Sequence, residues 1–124
     1  YNSSLDKDQN GNILCSAKGL VAVDRTIPST QTPLQDTLRL FLQGKLTATE
    51  KNTGISTEYP LSGVVLGGAS ISNTGVLTLS ISDPSSKTSG GACRASVLKL
   101  QLEATAKQFT EVSSVKYTTP IFQP

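Results

Sequence analysis

Apolar residues recur at every second position in some stretches of the chain and at every third or fourth in others, so elements can be read from spacing alone. Val21 and Val23 alternate with Ala22 and Asp24, which predicts a strand region over 13–25 that Asp24-Arg25-Thr26-Ile27-Pro28 ends. Tyr1-Asn2 reads as the remnant of an earlier strand, with a polar loop at 6–12 between the two. Leu34, Leu38, Phe41 and Leu42 then fall on one helical stripe. Thr32 stands as the N-cap, Pro33 at the first helical position, and Gln35 completes a capping box. Gly44 is the expected stop. Thr47-Ala48-Thr49-Glu50 is a second capping box, opening a short helix that Gly54 closes, and Ser56 to Pro60 reads as extended and edge-like.

The clearest alternation follows. Ala69 and Ile71 alternate with Ser70 and Ser72, Asn73-Thr74-Gly75 turns the chain, and Leu77, Leu79 and Ile81 alternate with Thr78, Ser80 and Ser82. This predicts a hairpin in an antiparallel sheet that is wet on one side. Gly90-Gly91 leads into a long helix over 92–109. Ala95, Leu98, Leu102, Thr105, Ala106 and Phe109 form one stripe; Cys93, Val97, Leu100 and Ala104 form another. Ser96, Lys99, Glu103 and Lys107 make the polar ridge, with Glu103 four residues before Lys107 as a supporting pair. A helix apolar on two sides must cover both, one against the sheet and the other against the first helix, a loop or another molecule. Val115 and Tyr117 begin a last strand. The fold class is therefore α+β, with two main helices on one face of a small mixed or antiparallel sheet, in a single domain over 1–124.

Composition narrows the chemistry. The 124 residues carry a net charge of +2, too small and dispersed for a nucleic-acid footprint. No apolar run spans a membrane. A start at Tyr1 and the absence of Met suggest a processed or excised fragment, so any membrane attachment would come from an anchor outside it. The absence of His removes the commonest general base and the commonest transition-metal ligand together. The acids Asp24, Glu50, Glu58 and Asp83 share no motif, and an enzyme is not expected. Cys15 and Cys93 are far apart, with no C-x-x-C pair. A disulfide is one reading and two buried thiols the other.

Two stretches are candidates for a ligand site. Asp6, Asp8 and Asn10 followed by Gly11 match the first half of a calcium loop, but its twelfth position is Ala17, which has no side-chain oxygen. The plainer expectation is a polar turn in which Asn10-Gly11 supplies positive backbone angles, leaving no cofactor beyond a weak calcium candidate. Gly90 and Gly91, with Arg94 beyond them, offer backbone amides and a cation to a small anion; the plainer expectation is a glycine turn into the helix.

Several of these stretches also match one family pattern in order. They are Val23-Asp24-Arg25-Thr26-Ile27-Pro28, Pro33-Leu34-Gln35-Asp36-Thr37-Leu38, Leu42-Gln43-Gly44, Thr47-Ala48-Thr49-Glu50-Lys51 with Gly54-Ile55, and Gly75-Val76-Leu77-Thr78-Leu79. Gly90-Gly91 with Arg94 opens the last helix, which ends Gln108-Phe109 before Val112 and Val115. The chain resembles the GerM-type sporulation and spore-germination domain of bacteria over residues 17–119, with 1–16 as an extension. The resemblance implies an extracytoplasmic domain, often of a membrane-anchored lipoprotein or other envelope protein, with a fold like the ring-building motif. It implies no catalytic residues. In that oxidising setting Cys15 and Cys93 can bond. The expectation is a non-enzymatic envelope module that assembles with itself or another envelope protein in sporulation, germination or envelope complexes, with Val97, Leu100 and Ala104 as the interface. The alternative is a module that binds cell-wall glycan (peptidoglycan) or a small anion.

Overall fold

Leu77, Leu79 and Ile81 lie on β2 (Val76–Ser82), the middle strand of a three-stranded sheet in the computed structural model, which describes all 124 residues. β1 (Val65–Ile71) pairs with it antiparallel, placing Ala69 opposite Leu79 and Ile71 opposite Leu77. The intervening turn closes where the Gly75 amide donates to the Ser72 carbonyl at 3.0 Å. β3 (Ser114–Tyr117) flanks β2 on its other side and runs parallel to it. A tight turn cannot reach a parallel neighbour. The chain crosses over instead through α3 (Ala92–Lys107). The fold is α+β, and its sheet is mixed.

α1 (Pro33–Leu42) joins α3 over the apolar face, and α2 (Ala48–Asn52) is a single short helix in the connection to β1. Leu38 of α1, Leu66 of β1, the three β2 residues, and Ala95, Leu98, Leu102 and Ala106 of α3 form one buried cluster. Each fully buried leucine contributes roughly 1.5–3 kcal/mol. Ser80 and Ser82, on the other side of β2, stay exposed. The second capping box forms as expected: Thr47 accepts from the Glu50 amide at 3.1 Å and Glu50 reaches back to the Thr47 amide at 2.9 Å.

Other expectations are corrected. No strand forms at Tyr1-Asn2 or over 13–25. Tyr1 is tied to the middle of the chain, its carbonyl accepting from the Ser56 amide at 2.8 Å. Ile13 makes only a lone bridge to Lys7, and Cys15 takes a left-handed φ of +56°, which breaks an extended run. Ser16 then caps a 3-10 turn at Ala17–Gly19. Beyond it the chain is extended, and Val21 and Val23 are half-buried while Ala22 and Asp24 are exposed. The alternation is present, but no neighbouring strand pairs with it. Ser56 to Pro60 likewise lies outside the sheet. The Thr32–Gln35 box does not form: the Thr32 side chain makes no cap bond, and the Gln35 amide donates across to the Ala69 carbonyl of β1 at 3.4 Å. α3 ends at Lys107 rather than 109, and its last turn tightens as the Phe109 amide donates to Ala106. Glu103 pairs with Lys99, not Lys107, because the Tyr117 hydroxyl of β3 donates to the same carboxylate at 2.9 Å.

Gly44 illustrates a position that the fold restricts twice. Its φ is +64°, and a Cβ there would run into the Tyr59 carbonyl. Gly44→Ala should destabilise the chain by at least roughly 2 kcal/mol in urea unfolding. Gly68→Ala, where a Cβ meets nothing within 4 Å, should stay within about 0.5 kcal/mol.

Candidate functional site

The calcium-like stretch folds into two separate devices. Asp6 is fully buried and faces inward. Its carboxylate accepts from the Tyr1 hydroxyl at 2.5 Å, from the Ser16 amide at 2.7 Å and from the Ser16 hydroxyl. Burial works to raise the Asp6 carboxyl, but the bonds from Ser16 and Tyr1 outweigh it and hold the group below the usual carboxylate range. The same contact raises the Tyr1 phenol to about 12, through burial first and then the bond to Asp6 and its charge. Asp8 instead caps its own turn: one carboxylate oxygen accepts from the Asn10 and Asn12 amides at 2.8 and 2.9 Å. This is the local side-chain-to-backbone bonding that Asp favours in turns. Gly11 sits there at φ +83°. The Asp6 and Asp8 oxygens therefore do not converge, and Asn10 contributes its backbone amide to the turn.

Cys15 and Cys93 are joined as a disulfide, their Cα atoms 5.4 Å apart. The bond fastens the N-terminal lobe to the first turn of α3. Beside it, Gly90 and Gly91 both have positive φ, and Gly91 is the N-cap of α3. Arg94 is committed within the chain. Its guanidinium donates to the Glu58 carboxylate at 2.6 Å and to the carbonyls of Ser89 and Lys87 at 3.1 and 2.5 Å. That leaves it bracing the loop before α3 rather than presenting a cation at the helix start. The same loop is organised by Asp83, which accepts from the Lys87 amide and from both the amide and the hydroxyl of buried Thr88. The C-terminal segment closes over it, with the Phe122 amide donating to the Thr88 hydroxyl at 3.2 Å.

A further concavity lies elsewhere, between the extended segment after Leu20 and the α1–α3 pair. It is a groove of about 520 Å³, with Val21, Val23, Phe41, Leu46 and Ala104 among its apolar walls. Arg25 and Lys45 are its charged side chains, and Tyr1, whose ammonium donates to the Ser56 carbonyl at 3.0 Å, also lines it. Arg25 is neutralised by a two-pronged pair with Glu50 at 2.6 and 2.7 Å. The Arg25 bond, followed by the Thr47 amide, holds Glu50 down to about 2. Gln101 also lines the groove. It is 7% exposed, and its side-chain amide makes no hydrogen bond within the chain, while its carbonyl accepts from the Thr105 hydroxyl at 2.8 Å. Sequence spacing did not single out Gln101. The available signal was a lone amide lying between two apolar stripes.

Of the proposed interface, Val97 and Leu100 are half-buried and Ala104 is exposed, and none belongs to the buried cluster. Leu5, Ile13 and Leu14 also expose apolar surface in the N-terminal lobe. Ser-x-x-Lys spacings occur at Ser4–Lys7, Ser96–Lys99 and Ser113–Lys116, and each lysine lies on an exposed position. No helix is long and apolar enough to cross a membrane. Comparison with protein-family models, with curated proteins and with solved structures returned no match.

Two outcomes follow from this geometry. Reducing the Cys15–Cys93 bond, or replacing both residues by Ser, should lower unfolding stability by up to about 4 kcal/mol, read as a shifted urea midpoint. Free thiols in the denatured, unreduced chain would contradict the bond itself. Stability should also fall at both ends of the pH scale. The depressed carboxylates favour the folded state above their ordinary values. That advantage should be lost as pH falls from about 4.5 towards the folded Glu50 value of about 2. The raised Tyr1 phenol favours the folded state below its ordinary value, and its share should be lost as pH rises from about 10 to 12. Melting temperatures followed by circular dichroism check both limbs, and Glu50→Gln should flatten the acid one.

Proposed function

We propose that the chain is a non-enzymatic module of the bacterial envelope, related to the GerM-type domains, that assembles with itself or with another extracytoplasmic protein. The observation that carries this reading is the second apolar side of α3. Val97, Leu100 and Ala104 remain outside the core after both helices have packed. The overall surface supports it. The chain exposes 7417 Å², against roughly 6,300 Å² for a typical monomer of its mass. The Cys15–Cys93 disulfide suits an oxidising compartment outside the cytoplasm. An α+β arrangement of helices over one face of a three-stranded sheet fits the resemblance to the ring-building motif.

Glycan binding is the second reading, favoured by the hydroxyl-bearing outer face of the sheet, where Ser70, Ser80 and Ser82 are exposed. Sedimentation with purified peptidoglycan separates the two. Light scattering over a wide concentration range tests assembly directly. A mass rising above 13.0 kDa, and returning to it in Leu100→Glu, is the expected result. A constant 13.0 kDa in both chains, with no envelope protein recovered by crosslinking, would overturn the assembly reading.

A further inference from the structure

The extended segment beside the groove is unusual in what it leaves unpaired. From Val21 to Ile27 no backbone amide donates to another group of the chain, and among the carbonyls only that of Asp24 accepts, from the Arg25 side chain. Backbone groups in native proteins are normally paired or hydrated. A run of open ones in an extended conformation is a template for a further strand. Val21, Ala22 and Val23 all line the groove, Val21 and Val23 half-buried and Ala22 and Asp24 exposed.

Across the groove, the side-chain amide of Gln101 is the second observation. The residue is 7% exposed, and its amide has no partner in the chain. Its polar atoms reach the groove rather than being sealed off. A carboxamide offers donors and an acceptor together, the same pattern that a peptide bond presents. Charge supplies the third. The lining contains no acid, Glu50 cancels Arg25, and Lys45 forms no ion pair.

We infer that this groove takes an extended peptide strand from a partner protein, apolar at alternate positions and carrying a carboxylate at its Lys45 end. Such a strand would pair with the backbone of Val21–Ile27, bury alternate side chains against Phe41, Leu46 and Ala104, and hydrogen-bond Gln101. An acyl chain with a carboxylate would match the apolar walls and Lys45, but would leave the Val21–Ile27 backbone and the Gln101 amide unpaired. The inference rests on the assembly reading and names the chemistry of its partner.

The test uses the full 124-residue chain and a short synthetic peptide alternating Val and Thr with a free C-terminal carboxylate. Binding is followed by amide NMR shifts and hydrogen exchange. The expected result is saturable binding that protects the amides of Val21–Ile27. Gln101→Leu and Ala104→Trp, each checked for folding by circular dichroism, should weaken binding by about tenfold or more. Amidating the peptide C-terminus, or Lys45→Ala, should weaken it less. Peptide at millimolar concentration that leaves Val21–Ile27 unprotected would overturn the inference, as would laurate binding in place of the peptide. Concentration-dependent mass without peptide binding would overturn the groove and leave the assembly reading intact. Peptide binding by a chain that stays monomeric would support the groove and exclude self-assembly alone.

Discussion

A strand apolar on only one side sets the terms for everything around it. Leu77, Leu79 and Ile81 of β2 are buried, and the residues between them face outward. That face must be covered from one direction only. Two helices can do this if the chain returns to the sheet after each. The hairpin brings β1 back beside β2, and the parallel β3 requires a long crossover, which α3 supplies. α3 therefore answers to two demands at once. Ala95, Leu98, Leu102 and Ala106 join the buried cluster with the sheet, and Val97, Leu100 and Ala104 on its other apolar side stay outside it.

The N-terminal third is held by different physics. It adds little to the core, whose buried apolar residues begin at Leu38. Polar contacts of high specificity replace apolar area. Asp6 gathers Tyr1 and Ser16, Asp8 winds its own turn, and Arg25 reaches Glu50 across the chain. A covalent bond to α3 completes the attachment. The resulting lobe is anchored at a few points and is open between them. That accounts for the coexistence of a closed core and an unpaired extended segment in one small chain.

The elements that were legible in the sequence are those whose signal is local. α1, α3 and the β1–β2 hairpin follow from spacings of three to four or of two, and the Thr47–Glu50 box from a pattern within one turn. What was illegible depends on distant partners. Val21 and Val23 alternate as a strand does, but a ladder needs a neighbour, and spacing cannot supply one. Asp6, Asp8 and Asn10 spell the same letters as a ligand set. Only the fold decides that Asp6 turns inward to Tyr1 while Asp8 serves its own loop. Glu103 has lysines at both suitable helical spacings, and Tyr117, fourteen residues on, is the further partner that fixes its carboxylate. Gln101 shows the same limit, because a polar residue flanked by two stripes gains meaning only once a groove opens beside it.

The disulfide also changes the topology of the chain as a polymer. Cys15 and Cys93 are 78 residues apart, and the loop they close contains α1, α2, β1 and β2. A single cut anywhere inside that loop leaves two pieces that remain one covalent molecule. One place open to such a cut is the extended run after Leu20, where no backbone bonds resist entry to a protease. A chain nicked there keeps α1, the hairpin and α3 linked through Cys93 to the lobe that precedes the cut. In a proteolytic environment the bond acts as insurance against scission at a segment the fold leaves bare.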